Sequence, residues 1–472
     1  MLSEMKWSMG LMVASLGLSA CGADATEDKT PSVQTDAAGD ADGTPSASDA
    51  APTGGTDAGL PAADAQPAVP DAAPPLPPGE CAPLAGAACE GDDPTSRPGR
   101  LNEHAAVYDP DRQEMLVFGG NEAVPVDCGV PEYTFSSVLW VYRDYASECG
   151  RWAALDAADG PSARGRHAAT YGDEAMWVFG GRERTRAAGY ALADGLWRFD
   201  TATRTWSERS LTDGPPLRMN HALAFDTRRG AVLVFGGNTS GSAANVALDN
   251  EVWSYEVASD TWERLRTSGP KPAPRLMHTA LYDTNRDRLI VYGGADENLF
   301  SNNARYFSDL WALDLQSLAW TQLADGADAD VPGRFWSTIT HDPQADRYLL
   351  FGGHDDQALG NRNDTWVYDP SDDTWANLAE GDAFARPANG FCDFPADFAT
   401  VDVAQPERRN AHSLVWSPCG HALLFGGKTD CGAINDVWQL TGVEWSEVLV
   451  ADEGEACLRF RANPDNCRNL CF

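Results

Sequence analysis

The chain has 472 residues, of which 43% are hydrophobic and 10% aromatic, so it is long enough to bury a large core. It holds 70 acidic and 35 basic residues, a formal net charge of −35. A surface of that sign repels nucleic-acid phosphates and anionic lipid head groups over a Debye length. We therefore expect no nucleic-acid partner.

Residues 1–20 have the pattern of an export signal. Residues 7–20 form an apolar run, WSMGLMVASLGLSA, that is too short to span a bilayer and is typical of a signal-peptide core. The run ends in LSAC, which resembles the lipobox of bacterial lipoproteins and predicts lipid attachment at Cys21. The alternatives are a secretory signal cleaved elsewhere and a true start at Met5. We expect a lipid-anchored protein of the bacterial cell envelope, with the outer membrane favoured because Gly22 rather than Asp follows the cysteine.

Residues 21–79 consist almost wholly of Ala, Asp, Pro, Thr, Ser and Gly. Such a segment buries too little apolar surface to offset the entropy of ordering, so it predicts a disordered tether. Within residues 22–80 there are 11 acidic residues and one lysine, whereas residues 81–472 keep 58 acidic against 33 basic residues. Most of the negative charge therefore belongs to the part that follows the tether.

One pattern recurs six times between residues 100 and 448. Each copy has two apolar strands, of which the second ends in a glycine pair, and then two strands that each carry a tryptophan. The glycine pairs are Gly119-Gly120, Gly180-Gly181, Gly236-Gly237, Gly293-Gly294, Gly352-Gly353 and Gly426-Gly427. The β-branched and aromatic content with near period-2 alternation predicts strands. Six four-stranded repeats predict an all-β fold, a six-bladed β-propeller of antiparallel blades, flanked by cysteine-containing segments at 80–99 and 449–472.

These residues carry a family resemblance. The glycine pair after an apolar strand, the following tryptophan strand (VLWVY, GLWRF, EVWSY, DLWAL, DTWVY and DVWQL) and the later tryptophan resemble the kelch repeat. Kelch propellers include adaptors, isomerases and oxidases, so the resemblance implies the fold and leaves the function open.

A basic opening precedes each copy. In an up-and-down blade the first residues of the inner strand lie on the face that also carries the long loops between the second and third strands, and binding residues concentrate on such loops. We therefore expect six arginines to line the mouth of the channel: Arg100, Arg164, Arg218, Arg275, Arg334 and Arg409. The alternative is that each arginine belongs to the scaffold and hydrogen-bonds loop carbonyls. Guanidinium groups suit carboxylates, so the arginines predict an acidic or hydroxylated ligand. We expect Arg218→Ala and Arg275→Ala to weaken binding and to leave the melting temperature nearly unchanged.

The fifth copy departs from this opening. Phe335 and Trp336 stand beside Arg334, and Ser337 replaces a histidine that the other copies have three or four residues after the arginine. An aromatic pair can stack on a sugar or on a side chain, so we include Phe335 and Trp336 in the predicted binding site. The five histidines are His104, His167, His221, His278 and His412, and we interpret them as scaffold.

Ten cysteines remain after Cys21, and an even number in an exported protein implies disulfides. All lie in the first and last copies, the linker before the last copy or the flanks: Cys81, Cys89, Cys128, Cys149, Cys392, Cys419, Cys431, Cys457, Cys467 and Cys471. We expect them to fasten the seam where the first and last blades meet. Cys392 with Cys431 is the best pair within one blade, Cys419 with Cys431 is not expected, and both flanks should meet at the seam.

The sequence favours a membrane-tethered, extracytoplasmic binding module for a protein or a glycan. A mutarotase-like sugar isomerase and a structural envelope protein are the alternatives. We predict no catalytic residue, no metal and no cofactor, because the chain has no zinc-type cysteine pair, P-loop, dinucleotide fingerprint or evident catalytic triad.

Overall fold

The computed structural model describes residues 96–452 except for 123–132, 146–150, 156–157, 187–188, 243–244, 300–302, 327–330, 356–359, 385–398, 401–403 and 430–431. All the regular secondary structure in this part of the chain is β. Each repeat forms a sheet of four consecutive antiparallel strands, and we number these six sheets as blades one to six in chain order.

Within each blade the four strands follow one another in chain order from the innermost to the outermost. Blade one contains β1 (Ala105–Asp109), β2 (Glu114–Phe118), β3 (Leu139–Arg143) and β4 (Trp152–Leu155). Blade two contains β6 (Ala168–Gly172), β7 (Ala175–Phe179), β10 (Leu196–Asp200) and β11 (Thr205–Arg209). Blade three contains β12 (Ala222–Asp226), β13 (Ala231–Phe235), β14 (Val252–Glu256) and β15 (Thr261–Arg264). Blade four contains β16 (Thr279–Asp283), β17 (Arg288–Tyr292), β18 (Leu310–Asp314) and β19 (Ala319–Ala324). Blade five contains β20 (Thr338–Asp342), β21 (Arg347–Phe351), β22 (Thr365–Asp369) and β23 (Thr374–Ala379). Blade six contains β27 (Ser413–Ser417), β28 (His421–Phe425), β31 (Val437–Thr441) and β32 (Glu444–Leu449).

Small sheets form in the connections of the blades. One contains β5 (Arg164–Gly165), β8 (Arg182–Arg184) and β9 (Tyr190–Leu192), and another contains β26 (Arg409–Asn410), β29 (Lys428–Thr429) and β30 (Gly432–Ala433). A third pairs β24 (Ala383–Phe384) with β25 (Ala399–Thr400).

The innermost strands of neighbouring blades contact one another in a closed circle, from β1 through β6, β12, β16, β20 and β27 back to β1. Backbone hydrogen bonds close the same circle. The second glycine of each pair donates its N–H to a carbonyl of the next blade at 2.8–2.9 Å, and the last of these bonds joins Gly427 to Leu101. The fold is therefore the predicted all-β propeller.

The core lies between the blades. Each of six buried apolar clusters combines side chains from two adjacent blades, including the pair formed by blades six and one. Trp206 of blade two, for example, packs against Phe118 of blade one with ring centroids 5.2 Å apart. Burying such side chains contributes about 1.5–3 kcal/mol or more each, so the tryptophan repeat stabilises the ring.

Blades one and six are joined by a buried polar network. Asp144 of blade one accepts hydrogen bonds from Tyr108 (2.8 Å) and from Ser417 of blade six (2.7 Å). His421 Nε2 lies 2.9 Å from both Asp144 oxygens. Next to this network Cys419 is fully buried and disulfide-bonded.

The other predicted disulfide cysteines and Cys21 lie outside the described residues, so the predicted pairings stay predictions. So do the predicted signal and tether at 1–20 and 21–79. The described ends of the two flanks do meet: Arg97 donates to the carbonyl of Val450, and Asn435 donates to the carbonyl of Pro98, both at 3.0 Å.

Candidate functional site

Five of the six predicted arginines are fully buried: Arg164, Arg218, Arg275, Arg334 and Arg409. Each donates from Nη1 to the carbonyl of the first glycine of its own blade, at 2.8–3.1 Å, and from Nε to the carbonyl two residues earlier. The prediction that they line the channel mouth is wrong, because their side chains turn into the blade. There they hold the inner strand to the glycine turn.

In blades three to six an aspartate completes this arrangement, and in blade three Arg218 Nη2 lies 3.0 Å from Asp249. Arg275 forms two hydrogen bonds to Asp309, at 2.7 and 2.9 Å, and the indole of Trp311 donates to the same carboxylate at 2.8 Å. Equivalent contacts join Arg334 with Asp364, and Arg409 with Asp436. The guanidinium is therefore bonded within its own blade, and these arginines act as scaffold.

Arg100 differs because blade one has one extra residue in its opening. Leu101, and not Arg100, accepts the hydrogen bond from the preceding blade's glycine, and Leu101 is buried. Arg100 is half-buried and donates to the carbonyl of Asp452 at 2.9 Å. Arg100 thus belongs to the flank contact and does not lie in the same ring as the other arginines.

The histidines form the next layer. Each packs edge-on against a phenylalanine of the preceding blade, with ring centroids 5.2–5.5 Å apart. Burial lowers the pKa of His104, His167 and His278 to about 3 and the pKa of His221 and His412 well below the usual value. The imidazoles are therefore neutral. Between blades four and five the pair is replaced by Tyr292 and Ser337, both buried.

Above the histidines lies a ring of residues that differ from blade to blade. They are Glu103, Arg166, Asn220, Met277, Trp336 and Ala411, each directly before the histidine or Ser337. Each donates its N–H to the carbonyl of its counterpart in the preceding blade, at 2.8–3.2 Å, so the six bonds form a closed circle. All six have left-handed backbone, with φ between 50° and 60°. We call these six residues the mouth ring.

The mouth ring and the histidine layer line a cavity of about 110 Å³. Asn220 lines the cavity and is 5% exposed, and neither atom of its amide has a hydrogen-bond partner among the described residues. The Nδ1 atoms of His104, His167, His221, His278 and His412 are likewise buried with no hydrogen-bond partner in the described part of the chain. The cavity is thus polar but largely uncharged.

Charge concentrates on one side of the mouth ring. Arg166 donates to Glu103 at 2.9 Å, and Arg182 Nη2 lies 3.6 Å from the other oxygen of Glu103. Burial alone would raise the pKa of Glu103, but Arg166 and Arg182 outweigh it and hold the pKa below its usual value. Lys428 acts on Glu103 in the same direction. The local balance is therefore positive in a chain that is strongly negative.

Aromatic rings hold Arg182 in place. Its guanidinium carbon lies 4.1 Å from the ring centroid of Tyr133, 4.9 Å from that of Tyr190 and 5.5 Å from that of Phe135. Such cation–π contacts contribute about 0.5–2 kcal/mol each. Tyr190 is 40% exposed, so the cluster reaches the surface.

Of the predicted aromatic pair, Trp336 lies in the mouth ring and lines the cavity, whereas Phe335 is 1% exposed and packs against His354. Phe335 is therefore a buried packing residue, and its predicted place at the mouth is wrong. Sequence reasoning missed Glu103, Arg166, Asn220 and Arg182. The sequence did contain a signal for the mouth ring. At the position directly before each histidine or Ser337 the six copies have different residues, whereas the position that follows is histidine in five of the six copies.

One cluster of possible metal ligands occurs among the described residues: Asp283, His341 and Asp346. Both oxygens of Asp346 accept from Arg286, at 2.6 and 2.7 Å, and Asp283 accepts from Arg288 and Tyr348. These carboxylates are neutralised by arginine, so the cluster does not fit a metal ion. In the described part of the chain no helix is long and apolar enough to cross a membrane.

The sequence is similar to known repeat proteins. A family model described as the KLHDC2/KLHL20/DRC7 Kelch-repeats domain matches residues 86–239 and 224–392. The leucine-zipper-like transcriptional regulator 1 homolog of Drosophila melanogaster is 28% identical over 302 residues, which are 60% of this chain and 27% of that protein. Kelch domain-containing protein 10 of Homo sapiens is 27% identical over 289 residues, 59% of this chain and 58% of its own length; the Rattus norvegicus protein is 26% identical over 289 residues, 59% of this chain and 63% of its own. The chain thus spans between about a quarter and two thirds of these relatives.

Proposed function

Because the chain belongs to the KLHDC2/KLHL20/DRC7 family of kelch-repeat proteins, a fold that serves as a protein-interaction module, we propose that it captures an acidic segment of a partner protein at its mouth ring. The binding groups are Arg166 and Arg182, with Tyr133 and Tyr190 as flanking aromatic surface. The buried arginines are not part of this site.

The observation that carries the proposal is the difference among the six residues of the mouth ring. The same backbone position, with the same hydrogen bond and the same left-handed φ, holds six different side chains. A left-handed conformation costs a non-glycine residue about 1–2 kcal/mol, and glycine would avoid this cost. Strain of this kind clusters at functional sites, which favours a role for these side chains in binding.

The unused donors define the ligand's chemistry. Arg166 Nε and Arg182 Nε are buried with no hydrogen-bond partner among the described residues. Guanidinium donors in such surroundings favour a carboxylate, which makes short charge-assisted bonds with them. An acidic partner segment fits this requirement, and the negative remainder of the surface would restrict its approach to the mouth.

We further propose that the domain is exported and held at the bacterial envelope, in the outer membrane, by lipid on Cys21. Support comes from the LSAC motif and from the acidic, proline-containing segment that follows it. Stable attachment requires more than one acyl chain. Mass spectrometry of the mature protein should show an N-terminal lipid-modified Cys21, and cleavage elsewhere without lipid would refute this part of the proposal.

The binding proposal is tested with the full chain on an array of acidic and neutral peptides and on a glycan array. We expect acidic peptides to bind and the Arg182→Gln variant to bind them at least about tenfold more weakly, because a hydrogen bond to a charged group contributes about 1.5–3 kcal/mol. Arg264→Gln is the matched control, since Arg264 is an exposed arginine on an outermost strand. Equal losses in both variants, or binding of neutral glycans alone, would show that Arg182 does not select an acidic partner.

A further inference from the structure

Two side chains from opposite blades meet across the mouth. Arg166 belongs to blade two and Trp336 to blade five, which lie three positions apart in the circle of six sheets. The guanidinium carbon of Arg166 lies 5.2 Å from the ring centroid of Trp336. Both residues line the cavity of about 110 Å³ together with the histidine layer beneath them. The two side chains that meet across the channel therefore form part of the wall of the cavity.

The lining determines which chemistry the cavity accepts. His167 Nε2 lies 3.1 Å from the carbonyl oxygen of Phe118, so it must donate, and His167 Nδ1 then carries a lone pair. In His221, His278 and His412 neither ring nitrogen has a hydrogen-bond partner among the described residues, so each neutral ring has one unused donor and one unused acceptor. Four imidazoles thus offer buried acceptors that have no hydrogen-bond partner among the described residues. Such a lining demands several donors from whatever occupies the cavity.

The charge of the lining residues and the volume of the cavity further restrict the class of ligand. The charged lining residues are Glu103 and Arg166, which are bonded to each other at 2.9 Å. An unpaired charge in the remaining, neutral part would cost far more than a hydrogen-bonded hydroxyl. Since a cavity of 150 Å³ holds a six-carbon ring in another protein, a cavity of this size suits a ligand of about four to six heavy atoms.

We propose that the channel contains an inner binding site for a small uncharged polyol, closed off from the mouth by the contact between Arg166 and Trp336. Hydroxyl groups of the ligand donate to His167 Nδ1, to the nitrogen that carries the lone pair in each other imidazole and to the Asn220 oxygen, and its oxygens accept from the imidazole N–H groups and the Asn220 amide N–H. This site adjoins the acidic-partner site and shares Arg166 with it, but binding of a polyol does not require that an acidic partner binds.

The test uses carbethoxylation of histidine by diethyl pyrocarbonate, mapped by mass spectrometry on the full chain. The reagent attacks neutral imidazole, so labelling of His221, His278 and His412 reports entry into the channel. We expect slow labelling in the natural sequence and labelling at least about tenfold faster in Trp336→Ala, because the variant removes the closing side chain. His341 at the end of blade five's inner strand is the internal control, and its rate should not change.

Two added solutes identify the ligand chemistry. Glycerol and 1,2-dimethoxyethane have the same number of heavy atoms, but the second has no hydroxyl donor. We expect glycerol near its dissociation constant to slow labelling of the channel histidines in Trp336→Ala about twofold, and dimethoxyethane at the same concentration to have no effect. Equal protection by both solutes would show that hydroxyl donors are not required, and no protection by glycerol would show that it does not bind; either result would overturn the proposal.

Equal labelling of the channel histidines in the natural sequence and in Trp336→Ala would overturn the closure. If Trp336→Ala labels His341 faster as well, the variant has lost its fold, and Trp336→Leu replaces it with an apolar side chain that is too short to reach Arg166. Fast channel labelling with unchanged His341 in that second variant supports the closure, and slow channel labelling in it refutes the closure.

Discussion

The wall of the channel contains two kinds of layer. The arginine and histidine layers repeat almost unchanged around the ring, and their polar groups are enclosed within or between blades. The mouth ring directly above them changes at every blade, and it is where Arg166 and Asn220 have donors without hydrogen-bond partners among the described residues. Repetition in the arginine layer thus marks residues that hold the ring together, and variation in the mouth ring marks side chains that are available to a partner protein.

The largest expected effect follows from breaking a repeating layer. Arg275→Ala leaves Asp309 buried without its guanidinium, which typically costs about 3–5 kcal/mol of the free energy of unfolding. This reverses the expectation from the sequence that Arg275→Ala leaves the melting temperature unchanged. Urea denaturation measures the loss, and Arg264→Ala, on an exposed outer strand, should stay within about 0.5 kcal/mol of the natural chain. If Arg275→Ala lowers the free energy of unfolding only slightly, the arginine layer does not hold the ring together, and it does not differ from the mouth ring in this respect.

The one irregular seam offers a second test. Between blades four and five Tyr292 and Ser337 stand where the other blades have phenylalanine and histidine, and the Tyr292 hydroxyl is buried with no hydrogen-bond partner among the described residues. Ser337→His alone should overpack this seam and cost about 1–3 kcal/mol. Adding Tyr292→Phe restores the common pair and should recover most of the loss. Additive effects in the double variant would show that the two positions are not coupled.

The histidine layer predicts a dependence on pH. In the folded chain burial lowers the pKa of His278 to about 3, whereas the unfolded chain protonates it near pH 6.5. The contribution of His278 to the free energy of unfolding is therefore complete above pH 6.5. It falls by about 1.4 kcal/mol per pH unit as the pH decreases from 6.5 toward 3. Urea midpoints measured between pH 7 and 4.5 should decline less steeply in His278→Gln. An unchanged slope would mean that this imidazole takes up a proton in the folded state.

The smallest expected effect is a gain. Ala411 in the mouth ring has a φ of 50°, a conformation that glycine adopts at no steric cost. Ala411→Gly should therefore raise the free energy of unfolding by about 0.5–1 kcal/mol, after the entropy lost by glycine is subtracted. Thermal unfolding measures it, and Ala345→Gly in the exposed turn of blade five is the control that should not gain. A loss of stability at position 411 would mean that the side chain of Ala411 contributes packing that outweighs its backbone strain.

The fold could be predicted from the sequence because six copies of one pattern reinforce one another. The role of the arginines could not, because a basic residue at the start of a strand does not reveal which way it turns. Its partner was present in the letters DLW, DTW and DVW, yet Asp309 stands 34 residues after Arg275, and only the paired strands bring them together. Arg100 was misplaced because blade one has one extra residue between the arginine and the histidine. Leu101 therefore takes the backbone position that an arginine has in the other blades. The mouth ring was missed because its members share a backbone position and no chemistry.

The closed circle also shapes how the chain must fold. His167 reaches a carbonyl of the preceding blade 49 residues away, whereas His104 reaches Ser413 across 309 residues. Closing the longer loop costs only about 1.6 kcal/mol more in chain entropy, but contacts so distant in sequence form slowly. Five of the six blade contacts can form between chain neighbours, and the last must wait until the whole repeat region has been synthesised. During that interval the unpaired faces of blades one and six are open to aggregation, and the polar network around Asp144 is the contact that ends their exposure.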